Sequence, residues 1–312
     1  MRIALMAYLL LMLPVAIAKE ENSLLDNKKI ELITGLKGSF FKEENVFKLS
    51  SPRSDIPVLV DGIKLPPFMG LTSWVAFTPG KAAQAMIMGD LVLFEDEVNP
   101  VMSTALDMGL SVTALHNHFF FDKPKVYFMH IAGEGNTEKL ANAVRALFDK
   151  VKEIRNTKKD PSIAFGAYQI PEKSAINPKI IEAILGAGEV KDGMYKVVIG
   201  RSVSMDCGCK ISKNMGVNTW AAFMGLDDFA IVDGDFAVLE HELQGVLKSL
   251  RQSGINIVAI HQHMTGEEPR MLFVHYWGKD SAKNLAVAVK KALDTQKVNK
   301  EAQTRAAEGT IR

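Results

Sequence analysis

LSVTALHNHFFFDKPKVYFMHIAG, residues 110–133, reads as two strands and a turn, and INIVAIHQHMTGEEPRMLFVHYWG, residues 255–278, repeats the reading. Both halves of each stretch are rich in β-branched and aromatic residues, as strands require. The joint between them is short, polar and carries a proline, Pro124 or Pro269, so an antiparallel hairpin is expected. The similarity extends outward from these stretches. Residues 89–149 align without a gap on 234–294, with 18 of 61 positions identical. Further upstream Gly62, Gly70 and Trp74 match Gly208, Gly216 and Trp220, and Arg53 matches Arg201. A repeat this long marks a duplicated unit. The chain divides into homologous domains near 28–157 and 178–298, joined by a linker over 158–177 that contains Pro161 and Pro171. A polar tail follows from 299 to 312.

Each copy reads as α+β. Residues 84–94 (QAMIMGDLVLF) are apolar enough for a buried strand that runs into acidic residues. Asn99-Pro100 suits an N-cap and first helical position, and Gly109 a stop, bracketing a helix of about ten residues. The second copy has Gly245 in place of Pro100, which leaves that helix start less defined. Leu140, Val144 and Leu147 then recur at helical spacing, with basic residues on the opposite face. The expected architecture is two tandem domains, each an antiparallel sheet covered by helices on one side.

Of 312 residues, 47% are hydrophobic and 23% charged, which is enough apolar material for sizeable cores. The 37 basic residues nearly cancel 36 acidic ones, which argues against a nucleic-acid binder. MRIALMAYLLLMLPVAIA, residues 1–18, has a basic start, an apolar core and an Ala16-Ile17-Ala18 cleavage pattern. A cleaved signal peptide and an exported protein, periplasmic or secreted, are expected. No other apolar run reaches the ~20 residues of a membrane span.

Six of the seven histidines form two matched triplets: His116, His118 and His130, then His261, His263 and His275. Strand residues i and i+2 share a face, and the partner strand can bring the third imidazole alongside. Three imidazoles converging from a strand pair suit a transition-metal ion, zinc among the candidates, with one position left open. Glu97 and Glu242 are candidate catalytic carboxylates or fourth ligands, with Glu95 and Glu240 behind them. Asp90 and Asp235, on the preceding strands, are candidates to orient an imidazole from outside the coordination sphere. His241 belongs to the second copy alone and reads as an exposed helix-edge residue. The competing readings give the histidines ligand-contact or structural roles without metal.

Cys207-Gly208-Cys209 replaces Asp61-Gly62-Ile63 of the first copy, so the shared fold does not need its thiols. A local disulfide, a soft-metal pair and a simple local feature all remain open there. Arg53 and Arg201 read as ion-pair partners, with anion binding as the alternative, and Trp74 and Trp220 as core. The chain lacks G-x-S-x-G, P-loop, H-E-x-x-H and G-x-G-x-x-G signatures.

Gly89-Asp90-Leu-Val-Leu, Glu97-Val-Asn-Pro-Val-Met, Thr113-Ala-Leu-His-Asn-His and Met129-His130 together resemble the LppY/LpqO family of bacterial domains of unknown function. The second copy keeps the pattern more loosely, in Gly234-Asp235-Phe, Glu242-Leu-Gln-Gly, Ala259-Ile-His-Gln-His and Val274-His275-Tyr-Trp. The resemblance implies an exported protein, in some members a lipoprotein, although no lipid-bearing cysteine follows the apolar core here. It supplies no reaction. The functional expectation is therefore an exported two-domain protein with strand-borne histidine metal sites. If it is an enzyme, a metal-dependent hydrolase is expected, with Glu97 or Glu242 as base. The alternative is a non-enzymatic envelope module for a small ligand.

Overall fold

The computed structural model describes residues 25–161 and 173–309. The signal-like segment 1–18 and most of the 158–177 linker lie outside the described residues. The first half runs α1 (Asn27–Thr34), β1 (Gly38–Phe41), β2 (Val46–Pro52), β3 (Leu59–Val60), β4 (Ile63–Lys64), β5 (Thr72–Pro79) and β6 (Ala85–Phe94). It continues with α2 (Glu95–Asp107), β7 (Ser111–His116), β8 (Asp122–Lys123), β9 (Val126–Gly135) and α3 (Thr137–Thr157). The second half repeats this order. It runs α4 (Pro178–Leu185), β10 (Glu189–Lys191), β11 (Met194–Gly200), β12 (Ser202–Met205), β13 (Lys210–Ser212), β14 (Asn218–Gly225) and β15 (Ala230–Leu239). Then follow α5 (Leu243–Gln252), β16 (Asn256–His261), β17 (Glu267–Glu268), β18 (Met271–Asp280) and α6 (Ala282–Gly309). The backbone is thus helical into the stretch expected to be a polar tail.

The α+β class and the duplication are as expected, and the two sheets merge. Twelve strands form one sheet in the order β1-β2-β5-β6-β9-β7-β16-β18-β15-β14-β11-β10, which reads the same from either end in equivalent strands. The halves meet where β7 pairs antiparallel with β16, Leu115 opposite Ile260. One face carries the helices. Ile87, Leu91, Leu115, Met129, Val144 and Leu147 belong to a core that continues into the second half through Ile257, Val274 and Val289. Burying an apolar side chain of this size contributes about 1.5–3 kcal/mol, so a core shared across the seam also fastens the halves together. Among the described residues the other face carries no α-helix. The small sheets β4-β3-β8 and β13-β12-β17 cover one end of it in each half, over Phe94 and Phe128 in the first and Ala237 and Phe273 in the second.

A bulge in each copy decides which side chains reach the open face. Val112 lies opposite Ile131 while Ala114 lies opposite His130, so Thr113 is the extra residue. The same slip separates Ile257 from Ala259. An unbroken period of two would put Val112 and His116 on one face. The bulge sends Val112 and Ile257 into the core, both about fully buried, and His116 and His261 to the open side.

A bulge leaves ladder groups without partners, and each copy supplies an amide for the other. Asn99 Nδ2 donates to the Ile257 carbonyl at 3.1 Å, and Ile257 N–H donates to Asn99 Oδ1 at 2.7 Å. Gln244, the equivalent residue of the second half, makes the same pair of bonds to Val112, both at 2.9 Å. This corrects the expected role of Asn99 as an N-cap. The helix begins five residues earlier, at Glu95, with Phe94 as N-cap, and Pro100 lies inside it. Glu97 reaches back to Phe94 N–H at 2.8 Å and does the capping that sequence had assigned to Asn99. Asn99→Leu would strand a buried N–H and C=O at the seam. We expect a loss of about 2 kcal/mol or more in urea unfolding. A change under about 0.5 kcal/mol, the range of ordinary surface substitutions, would refute the brace.

Candidate metal centre

The second half brings one compact donor set to the open face. Asp235 on β15 lies opposite His275 on β18, which lies opposite Ala259 on β16, two residues before His261. Ligand atoms of Asp235, His261 and His263 lie within 4.8 Å of one another, the one such group of three among the described residues. His263 Nε2 is 3.3 Å from Asp235 Oδ2. Its Nδ1 is 3.2 Å from the Gly216 carbonyl, a contact that orients the ring with Nε2 toward the carboxylate. The His263 ring is stacked on Phe273 at 3.5 Å between centroids, so its plane is set as well. His275 stacks on His261 at 4.8 Å and places Nδ1 3.2 Å from the Gly234 carbonyl.

Two atoms of this set are buried without a hydrogen-bond partner: Asp235 Oδ1 and His261 Nδ1. Burial raises the Asp235 carboxyl from its ordinary value, against the pull of His275 and His263. Burial, with His275 and His263 adding to it, pushes His261 down to about 4. A neutral imidazole and a poorly solvated carboxylate side by side form a donor set that could hold a cation. The His261 shift has a sign that can be measured. Between about 4 and 6.5 the unfolded chain holds a proton at this position that the folded chain does not. Stability of the metal-free protein therefore falls as pH drops through that window. His261→Gln should flatten this part of the melting-temperature profile, and an unchanged profile would contradict the burial argument.

The first half has the same residues in a looser arrangement. His116 and His118 stack at 5.2 Å, His116 and His130 lie 5.1 Å apart, and His118 sits on Phe128 at 3.4 Å. His130 Nε2 is 4.0 Å from Asp90 Oδ2, and Asp90 Oδ1 is buried without a partner. No group of three ligand atoms gathers there within the distance seen in the second half. Asp235, expected to act from behind a histidine, stands instead among the donors. His275 is stacked at the edge of the set.

Glu97 and Glu242 have other partners. Glu97 is fully buried, and its oxygens accept from Arg53 Nη1 at 2.5 Å and Nη2 at 2.6 Å, with Arg155 Nε 2.7 Å away. Burial raises its carboxyl, while Arg53, the Phe94 N–H and Arg155 draw it back. Glu242 pairs with Arg201 and accepts from Leu239 N–H at 2.9 Å and Gln296 Nε2 at 3.0 Å. No histidine is among these partners, so each glutamate braces the end of a strand. Arg53 and Arg201 are ion-pair residues, as expected. The Trp74 and Trp220 rings are half-buried, not core, each under a lysine ammonium at 4.5 Å, Lys48 or Lys196. Cys207 and Cys209 are free and exposed on the turn between β12 and β13, and His241 is exposed ahead of α5.

Among the described residues no helix is long and apolar enough to cross a membrane. Comparison with curated proteins gives no match. Among solved structures, a trimeric bacterial microcompartment shell protein PduB is similar over 83% of this chain and 89% of its own, at 9% identity and a TM-score of 0.19. The family described as Domain of Unknown Function (DUF1259) matches twice, over residues 28–150 and 179–295. These two segments take in most of the sequence, and the chain belongs to that family, carrying its domain in duplicate.

Proposed function

We propose that this chain binds one transition-metal ion in its second half, through Asp235, His261 and His263, with His275 beside them. The observation that carries the reading is the convergence of three ligand atoms within 4.8 Å, with Asp235 Oδ1 and His261 Nδ1 buried. Two imidazoles and a carboxylate match the donor preference of Zn²⁺ and Fe²⁺. The carbonyl of Gly216 and the ring of Phe273 hold His263 in place before any ion arrives, as an outer shell does in metal sites. The first half keeps the scaffold without the convergence, so the proposed stoichiometry is one.

Such an ion supplies a Lewis acid and an activated water when a coordination position stays open. His263 is exposed and borders a cavity, so a small molecule can reach the set. Metal-dependent hydrolysis on the outside of the cytoplasmic membrane is the activity this reading favours, in line with the signal-like N-terminus and the LppY/LpqO resemblance. The test is to strip the purified chain with a chelator, reload it with Zn²⁺ or Fe²⁺, and measure bound metal and melting temperature. About one equivalent and a raised melting temperature are expected. Less than about a tenth of an equivalent, with unchanged melting, overturns the proposal.

A further inference from the structure

We infer that the cavity beside Asp235 and His263 binds the anionic group, phosphate or carboxylate, of a small ligand. The inference rests on the metal reading only for what the rest of that ligand would meet. The cavity encloses about 380 Å³, within the range of small-molecule sites. Lys196, Lys213, Asn214, Asn218 and Trp220 line it together with Asp235 and His263. Asp235 is the one carboxylate on its wall. Among the described residues, neither Lys196 nor Lys213 forms an ion pair. Two ammonium groups on a cavity wall that holds a single carboxylate leave it net positive, and an anion bound there is attracted by that excess charge.

Their placement is built, not incidental. The Lys196 ammonium sits over the Trp220 ring at 4.5 Å. Lys213 begins a short 3-10 turn, Lys213–Met215. Asn218 Nδ2 donates to the Lys213 carbonyl at 2.7 Å. The next residue after that turn, Gly216, accepts from His263. The lysine-bearing turn and the histidine are thus one mechanical unit, and a ligand held by Lys213 is held next to His263. The first half keeps Lys48 over Trp74 but has Pro67 and Phe68 where the second has Lys213 and Asn214, and Phe68 is 98% exposed. The polar cavity wall therefore occurs in the half where the donor atoms converge.

The probe is inorganic phosphate, titrated calorimetrically against the metal-free full-length chain, with acetate in a parallel arm to separate phosphate from carboxylate selectivity. One saturable site is expected for at least one of the two anions. The double variant K196M/K213M should weaken it about tenfold or more, as loss of charge-assisted contacts does. Lys48→Met, at the matching position of the first half, should stay within about twofold. Asp235→Asn, which removes a proposed metal ligand, should keep or tighten anion binding, because a nearby negative charge is gone. Absence of saturation by both anions below about 10 mM overturns the inference, as does an equal loss in Lys48→Met. Because the titration uses metal-free protein, failure to bind metal leaves its outcome readable.

Discussion

Asp235→Asn and His263→Ala each lower Zn²⁺ affinity by at least about 100-fold, whereas Asp90→Asn and His118→Ala change it by less than about threefold. The asymmetry is the informative part, because the four residues are matched pairs in a duplicated fold. Asp235 and His263 stand 3.3 Å apart, while the nearest approach of Asp90 to an imidazole is 4.0 Å, to His130. Asparagine keeps the size of Asp235 and one acceptor oxygen but removes the charge that balances a divalent ion. The expected loss is therefore one of affinity and not of folding. Circular dichroism melts of the metal-free variants check that the fold survives. Equal losses in both halves would show two sites, and no loss in either would show that the cluster holds no metal.

Much of this centre could be read from the sequence because duplication placed the same histidines in the same spacing twice. The period-two rule put His116 with His118 and His261 with His263, and the hairpin brought the third histidine of each set alongside. Sequence did not reveal the bulges at Thr113 and Val258. Nothing in LSVTALHNH distinguishes a strand with an extra residue from a regular one, yet the bulge decides that Val112 faces the core. The roles of Asn99 and Glu97 were exchanged for a related reason. Asn99 looks like a cap because local sequence suggests one. Its actual partner, the backbone of Ile257, is 158 residues away and reachable only once the two sheets have merged. Sequence did not show how close Asp235 would come to His263, because that proximity depends on the path of the loop after β16. That loop is held by a carbonyl of Gly216 that no pattern marks.

Glu97→Gln costs about 3–5 kcal/mol of stability and leaves metal affinity unchanged. The carboxylate is the common partner of two guanidiniums, those of Arg53 and Arg155, whose side chains are only 6% and 10% exposed. It also caps α2 through Phe94 N–H. Removing its charge leaves two nearly buried cations to share Asp55 and Asp96, and the buried position gives water little access to compensate. Glu242→Gln should cost less. Arg201 is 24% exposed, and the third contact on Glu242 comes from the neutral amide of Gln296, so a glutamine there can still be served. The ordering of these two variants in chemical unfolding, together with intact metal binding in both, follows from strand-end braces whose partners include no histidine. A Glu97→Gln protein that melts like the parent but loses metal or metal-dependent turnover would reverse this assignment and restore the glutamate as a catalytic base.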